Sequence, residues 1–418
     1  MPGRIPPTRA ARLLEMDGAV AAYFSDLAES VSHRWAQLGR GPGQLTEAAV
    51  AGLKELPPGP NVGALPVLEY AISSSMLPTH QSSLSDPFGQ PPLVLWSGPD
   101  FFIQALTWID GTTDIHQHGF DGAFAVAEGA SLHVPYRFSL GESTAEGHIV
   151  AGDLIMGQPE ILRPGDVRPI DAGFRFIHAL FHLERPTVTI VVRNESSGLP
   201  HPQYSYLRPG LGYDRPWSDR VVGKRLQALG AVRRLDPTAA ETSATELVAT
   251  ASPWVGFLAL RDVIGWSGWT DRAAGLCDTL SKRVGAAGEL LAPALQAETQ
   301  QGNILARRDL MNARHQRTFL ALLANLPDRA AVHSVVGALY PGQAPERLVF
   351  EWVLELASAQ YRGISGLRLS DDQRAALGGR LENLGTDDRA TGADLRQALG
   401  DLATGWEPPV LLRSLLAI

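Results

Sequence analysis

Along the first fifty residues, apolar side chains recur at three- and four-residue steps. Leu13, Leu14, Val20, Tyr23, Phe24, Leu27 and Val31 fall mostly on one helical face, so the pattern predicts helix over 11–56. Gly-Arg-Gly-Pro-Gly at 39–43 breaks it, and Thr46 opens a second amphipathic run to Leu53. Residues 57–92 are rich in Pro, Ser and Gly with little periodicity, and read as a long connection. At Leu93 the pattern changes to short runs of strand-forming residues. They include Leu-Val-Leu-Trp at 93–96, Phe101–Trp108, Ala123–Ala127, Ser131–Phe138, Phe174–His182 and Thr187–Val192, separated by Gly, Pro and Asp. Many short strands at regular spacing predict a sandwich or barrel, ending near Asn194.

Ser196–Tyr213 is rich in Pro, Gly and Tyr, and helical periodicity returns after Pro216. Leu310–Leu326 is one amphipathic run, stopped at Pro327; Leu348, Val349, Trp352, Val353 and Leu356 mark another within 344–357. Ser370 with Gln373 forms a capping box for a further helix, and Thr391, Asp394 and the run to Leu402 suggest one more. The expected organisation is a helical segment and linker at 1–90, a β-barrel at 91–195, and an all-α domain of seven to nine helices at 196–418. The fold class is α+β.

Composition narrows the function. With 44 % hydrophobic and 19 % charged residues, the 418-residue chain can bury a sizeable core. A net charge of −8 argues against a nucleic-acid coat, and Arg220, Lys224, Arg225, Arg233 and Arg234 read as a solvated helix face. The single cysteine, Cys277, excludes an intrachain disulfide and reads as a small buried residue, which fits a reducing compartment. No signal-peptide pattern and no stretch of about 18 apolar residues is seen, so the expected location is cytoplasmic, with no membrane partner. There is no Walker loop, no Gly-x-Gly-x-x-Gly after a strand and no Gly-x-Ser-x-Gly.

The informative stretch is Asp-Ile-His-Gln-His-Gly-Phe-Asp-Gly at 114–122. Residues two apart on a strand share a face, so His116 and His118 project together. Sixty residues on, Phe174, Phe176, His178, Leu180 and His182 share a face whose apolar members mark it as a barrel interior. A buried imidazole without a partner costs roughly 1–3 kcal/mol. One metal ion would supply that partner to His116, His118 and His178 at once. His182 could be a fourth ligand, an acid/base beside the metal, or a core residue. Asp114 has inward parity at the strand entry and is a weak ligand candidate; Asp121 has the opposite parity. Gln104 and Trp108, sharing a face with Phe102 and Leu106, could line a substrate pocket or simply pack. His133 and Arg137 share a face, and Arg137 is the candidate grip for an acidic substrate. Tyr204, Tyr206 and Tyr213 could cover the barrel mouth or join barrel to helices. His315 and His333 lack metal spacing and read as structural.

At these residues the chain resembles the cupin superfamily. His116-x-His118 is followed by three residues, Gly122, six residues and Gly129, which matches the spacing of the first cupin motif with Gly122 in the place of its Glu ligand. Gly165, Gly173, His178 and His182 follow the second motif, with Asp171-Ala-Gly173 at its turn and His182 in its Asn place. The resemblance covers about residues 90–195 and implies a double-stranded β-helix. Without the Glu, three neutral imidazoles leave the ion its full charge and open positions. This is similar to the three-histidine thiol dioxygenases, of the cysteine dioxygenase type, in which an anionic substrate chelates iron(II) and O₂ binds beside it. The segment His178–Ile190 is similar to theirs. Their Ser-His-Tyr relay is replaced by Thr187, Thr189 and Val191, and no arginine lies between Arg40 and Arg137 to take a carboxylate as theirs does.

The resemblance therefore implies a mononuclear non-heme iron(II) oxygenase. Its cofactor would be one Fe(II) per chain with O₂ as co-substrate, its substrate a small thiol or acidic metabolite, and His182 its proton handler. A non-redox cupin isomerase or lyase using zinc, nickel or manganese, and a small-molecule-binding cupin module, are the alternatives. The helical domain could clamp substrate, bind a partner or form a homodimer.

Overall fold

The computed structural model describes residues 9–41, 43–82, 88–109, 114–144, 147–196, 203–215, 219–308, 310–358, 360–361 and 364–365. The chain forms two compact units, Met1–Leu260 with Leu276–Leu291, and Arg261–Gly275 with Ala292–Ile418.

The first unit begins with three helices, α1 (Arg9–Gln37), α2 (Gln44–Glu55) and α3 (Ala64–Ser73). Val20, Phe24, Leu27 and Val31 form a buried stripe on α1, packed against Leu45, Ala48, Ala49 and Leu53 of α2. Each large side chain in that stripe contributes about 1.5–3 kcal/mol. Helix α3 lies where the sequence reads as connection. Pro60, Gly63 and Pro66 look like loop residues, and Ala64, Val67 and Tyr70 supply a short buried face.

Twelve strands follow: β1 (Pro92–Ser97), β2 (Phe102–Trp108), β3 (Ile115–Gln117), β4 (Gly122–Glu128), β5 (Ser131–Ser143), β6 (Ile149–Met156), β7 (Glu160–Leu162), β8 (Val167–Ile170), β9 (Ile177–His182), β10 (Thr187–Arg193), β11 (Tyr204–Leu207) and β12 (Leu211–Asp214). One sheet has the order β1-β2-β10-β4-β8; the other runs β6-β12-β11-β3-β9-β5-β7 and closes through a β5–β6 pairing. Four early strands, β2 to β5, pair with four late ones: β2 with β10, β3 with β9, β4 with β8 and β5 with β7. All these pairs are antiparallel. The result is a double-stranded β-helix barrel of the cupin type.

Period-2 alternation sorts the first sheet's side chains between two cores. Ile103, Ala105, Ala123, Ala125, Val188, Ile190 and Val192 face the helices α1 and α2. Leu106, Phe124, Val126 and Val191 point the other way, into the barrel with Phe120, Leu162, Ile170 and Leu180.

Helices α4 (Arg220–Leu235), α5 (Pro237–Thr250), α6 (Pro253–Ser267), α7 (Asp271–Ser281), α8 (Gly288–Arg308), α9 (Arg314–Asn325), α10 (Arg329–Leu339) and α11 (Pro345–Ser358) come next, then a short hairpin, β13 (Gln360–Tyr361) and β14 (Ile364–Ser365). Asp219 caps α4 and Asp236 caps α5, each accepting two backbone N–H bonds. Trp254 of α6 donates to the Asp214 carbonyl and stacks on His148, which ties the helix to the barrel end. Tyr213 packs on Phe257, so this tyrosine joins barrel to helix, and Tyr206 is buried with its hydroxyl on Gln117. In the second unit, Trp352 of α11 packs on Phe319 of α9, and His315 pairs with Glu355. The capping box at Ser370 and the helix expected at 391–402 lie outside the described residues. Among the described residues no helix is long and apolar enough to cross a membrane.

Candidate metal centre

His116 on β3 and His178 on β9 are direct cross-strand partners, and His118 follows β3 by one residue. One nitrogen of each imidazole lies within 4.8 Å of the others. The Nε2 atoms of His118 and His178 are 3.0 Å apart. All three rings are buried, at 3, 8 and 3 % exposure. The strand pairing explains His116 and His178. His118 is held by a second device: its carbonyl accepts from the N–H of Gly173, 2.8 Å away, a residue at φ +74 that glycine adopts readily.

Burial pushes the His116 pKa down to about 3. Burial also holds His118 and His178 well below the ordinary imidazole value, with further lowering from His116 on both, Arg193 on His118, and His118 and His133 on His178. The cluster is therefore neutral at pH 7, the form in which imidazole binds a metal. Phenylalanine rings surround it: Phe176 at 4.6 Å from the His178 ring, Phe120 at 4.7 Å from His118, and Phe88 at 5.1 Å from His116.

The donor set fits a metal on this geometry. Nδ1 of His116 lies 2.7 Å from the Asp114 carbonyl, which can only accept, so that nitrogen carries the proton and Nε2 keeps its lone pair. The Asp114 carboxylate is engaged by Arg215, which removes it as a ligand. Asp121 accepts from the Ala172 N–H and holds the loop before β9.

Gly122, at the position of the cupin Glu, has a physical reason to be bare. A Cβ there would lie 2.0 Å from the Val192 carbonyl oxygen. The backbone of β4 comes too close to β10 for any side chain, so this backbone has no room for a carboxylate ligand at that position.

The structure brings two of the other expected residues, His182 and Trp108, to each other. His182 shares the His178 face but sits four residues on, roughly 13 Å along the strand. Its Nδ1 is 3.1 Å from the Ser131 hydroxyl and its ring stacks on Trp108 at 4.4 Å. The three-imidazole cluster does not include His182; strand parity gives the face on which His182 and Trp108 lie but not their depth along the strand. Gln104 is buried on the interior face, paired with Val191. Arg137 is exposed, two residues past Pro135, the cross-strand partner of His178.

Three groups were given no role at the site by sequence reasoning. Arg193 ends β10 with its guanidinium 3.4 Å over the Phe120 ring. It shares the inward face of Thr189 and Val191, which was its available signal. His133 Nε2 lies 3.1 Å from His178 Nδ1, and His133 Nδ1 lies 2.7 Å from Glu160, which Arg168 holds. His133 was visible as an inward residue of β5; Glu160 sits on a three-residue strand with no periodicity.

Fold and site together define a cupin-type barrel with a buried cluster of three imidazoles suited to one divalent metal. No protein-family model matches the chain, and no curated protein matches it. Solved structures do. A cupin-2 domain protein from Shewanella frigidimarina is 16 % identical over 26 % of this chain and 82 % of its own, with a TM-score of 0.18. An oxalate oxidase in complex with glycolate is 20 % identical over 34 % of this chain and 63 % of its own, with a TM-score of 0.20. A hydroquinone 1,2-dioxygenase in complex with Cd²⁺ and 4-hydroxybenzonitrile is 19 % identical over 27 % of this chain and 68 % of its own, also at 0.20. The strand order by itself defines the double-stranded β-helix.

Proposed function

We propose that the barrel is a mononuclear non-heme iron(II) oxygenase centre, with His116, His118 and His178 as the metal ligands and a small thiol or acidic metabolite as substrate. The carrying observation is the convergence of three buried, neutral imidazoles with no carboxylate joining them among the described residues. Three neutral ligands leave a divalent ion uncompensated, which favours an anionic substrate group binding directly to it. Bound iron(II) would supply the electrons for activating O₂.

The protein's own residues prepare the site. Phe88, Phe120 and Phe176 keep water from the cluster and lower the local dielectric, which strengthens charge attraction there. Arg193 adds a cation beside Phe120 and takes over the anion-attracting role expected of Arg137, which stays a secondary candidate on its solvent-facing stretch of β5. Gln104 offers an amide on the interior wall.

The test is O₂ uptake by iron(II)-reconstituted protein against panels of small thiols and of carboxylic acids. Uptake with one class, lost in Arg193→Met with a raised KM, supports the reading. Turnover without O₂ consumption, on zinc, nickel or manganese, would replace it with the isomerase or lyase reading. No turnover with any substrate, while ligands still bind, would leave a binding module.

A further inference from the structure

Two of the three imidazoles have their proton placed by a neighbour. For His116 the neighbour is a backbone carbonyl. For His178 it is a chain of side chains running outward from the barrel interior, His178–His133–Glu160–Arg168. The second chain carries an inference of its own, resting on the metal-site reading above.

The proton positions follow from the outer end. Arg168 donates to both oxygens of Glu160, from Nε at 2.8 Å and Nη2 at 2.5 Å, which holds the carboxyl ionised and fixes its orientation. A carboxylate only accepts, so the His133 Nδ1 at 2.7 Å carries a proton and donates it. A neutral His133 then has a bare Nε2. The His178 Nδ1, at 3.1 Å, must be the donor to it. A neutral His178 with its proton on Nδ1 leaves Nε2 bare, and that nitrogen is the one facing His118. Without the chain, the His178 ring could take either tautomer or rotate. With it, and with a single proton on the His133 ring, one arrangement satisfies every bond of the chain.

We propose that His133 and Glu160 are positioning residues for the metal centre: they fix the tautomer and ring orientation of His178 so that its Nε2 lone pair is presented to the ion. The charge of Glu160 is taken up by Arg168, so orientation passes inward and a compensating negative charge does not. The barrel supplies the means. Strand β5 pairs with β9 on one side and with β7 on the other, which sets His133 directly across from Glu160 and beside the His178 strand. Outer partners of metal-bound histidines typically matter 10–100-fold in affinity.

The experiment titrates metal-free, full-length protein with cobalt(II), reading affinity and the visible d–d band. The variants are His133→Phe, Glu160→Gln, Glu160→Leu and Ile190→Ala. His133→Phe removes the acceptor for His178 Nδ1–H, and about 10–100-fold weaker binding with an altered band is expected. Glu160→Gln keeps an oxygen for His133 and should lose less than Glu160→Leu. Ile190→Ala damages the helix-facing core behind β10, on the opposite face from the chain; it should lower the thermal midpoint and leave the band unchanged. Glu160 is half-buried, so its two variants carry the test should His133→Phe fail to fold. Wild-type affinity and band in the His133 and Glu160 variants, or losses no larger than that of Ile190→Ala, would overturn the positioning role alone. Wild-type protein that binds no cobalt would overturn the metal site and this inference with it.

Discussion

Substituting Gly122 tests why this barrel lacks the carboxylate ligand. Gly122 lies on β4 between Arg193 of β10 and Ile170 of β8. A Cβ would stand 2.0 Å from the Val192 oxygen and 3.0 Å from the Arg193 Cα, whereas ordinary contact begins at 3.4 Å. The two strands must part by more than 1 Å to admit even alanine. Overpacking of this kind costs about 1–3 kcal/mol, and each ladder bond left unmade adds about 1–3 kcal/mol. Gly122→Ala should therefore destabilise by about 3–5 kcal/mol, or roughly 6–15 °C in Tm for a unit of this size. Gly122→Glu carries the same clash, so restoring the motif's residue should not tighten metal binding. Thermal unfolding by circular dichroism, with metal titration of both variants, measures this. Gly122→Ala melting within about 2 °C of the parent, or a stable Gly122→Glu with tighter binding, would refute the packing argument.

Acid sensitivity follows from the depressed imidazole pKa values. His116 takes a proton at about 3 when folded, against 6.5 unfolded, and His118 and His178 shift the same way. Their contribution is complete above pH 6.5 and is lost as pH falls toward 3, so metal-free protein should show falling urea midpoints over that window, with a shallower slope in His116→Phe. For the same reason metal binding at pH 6 should release almost no protons from these ligands. Calorimetric enthalpies in two buffers of different ionisation heat should agree, and a difference worth one or more protons would contradict the neutral cluster. Asp236 accepts from the Thr238 and Ala239 N–H groups, so Asp236→Ala should cost about 1 kcal/mol by chemical denaturation, and no measurable loss would contradict the cap.

What the sequence made legible was direction, and what it withheld was depth and register. Period-2 spacing put His116 and His118 on one face, and the apolar neighbours of His178 marked its face as interior; the structure brings the three together. The same parity argument put His182 and Trp108 on interior faces correctly, yet both sit near the far end of the barrel, because alternation carries no information about position along its axis. Glu160 was invisible since its partnership with His133 depends on how β5 aligns with β7, a long-range register. Arg193 carried the right parity but sat at a strand end where the sequence turns polar. Helix α3 was hidden by prolines and glycines that end its neighbours. The loss of the Glu ligand was readable as a substitution, while its cause, the approach of Val192 to Gly122, required coordinates.

The most direct test of the metal centre is elemental analysis of purified protein reconstituted with iron(II), beside His116→Ala and His178→Ala variants of verified fold. About one iron per chain in the parent, and little in either variant, is the predicted result. Folded parent protein that retains no metal, or variants that retain as much as the parent, would contradict it.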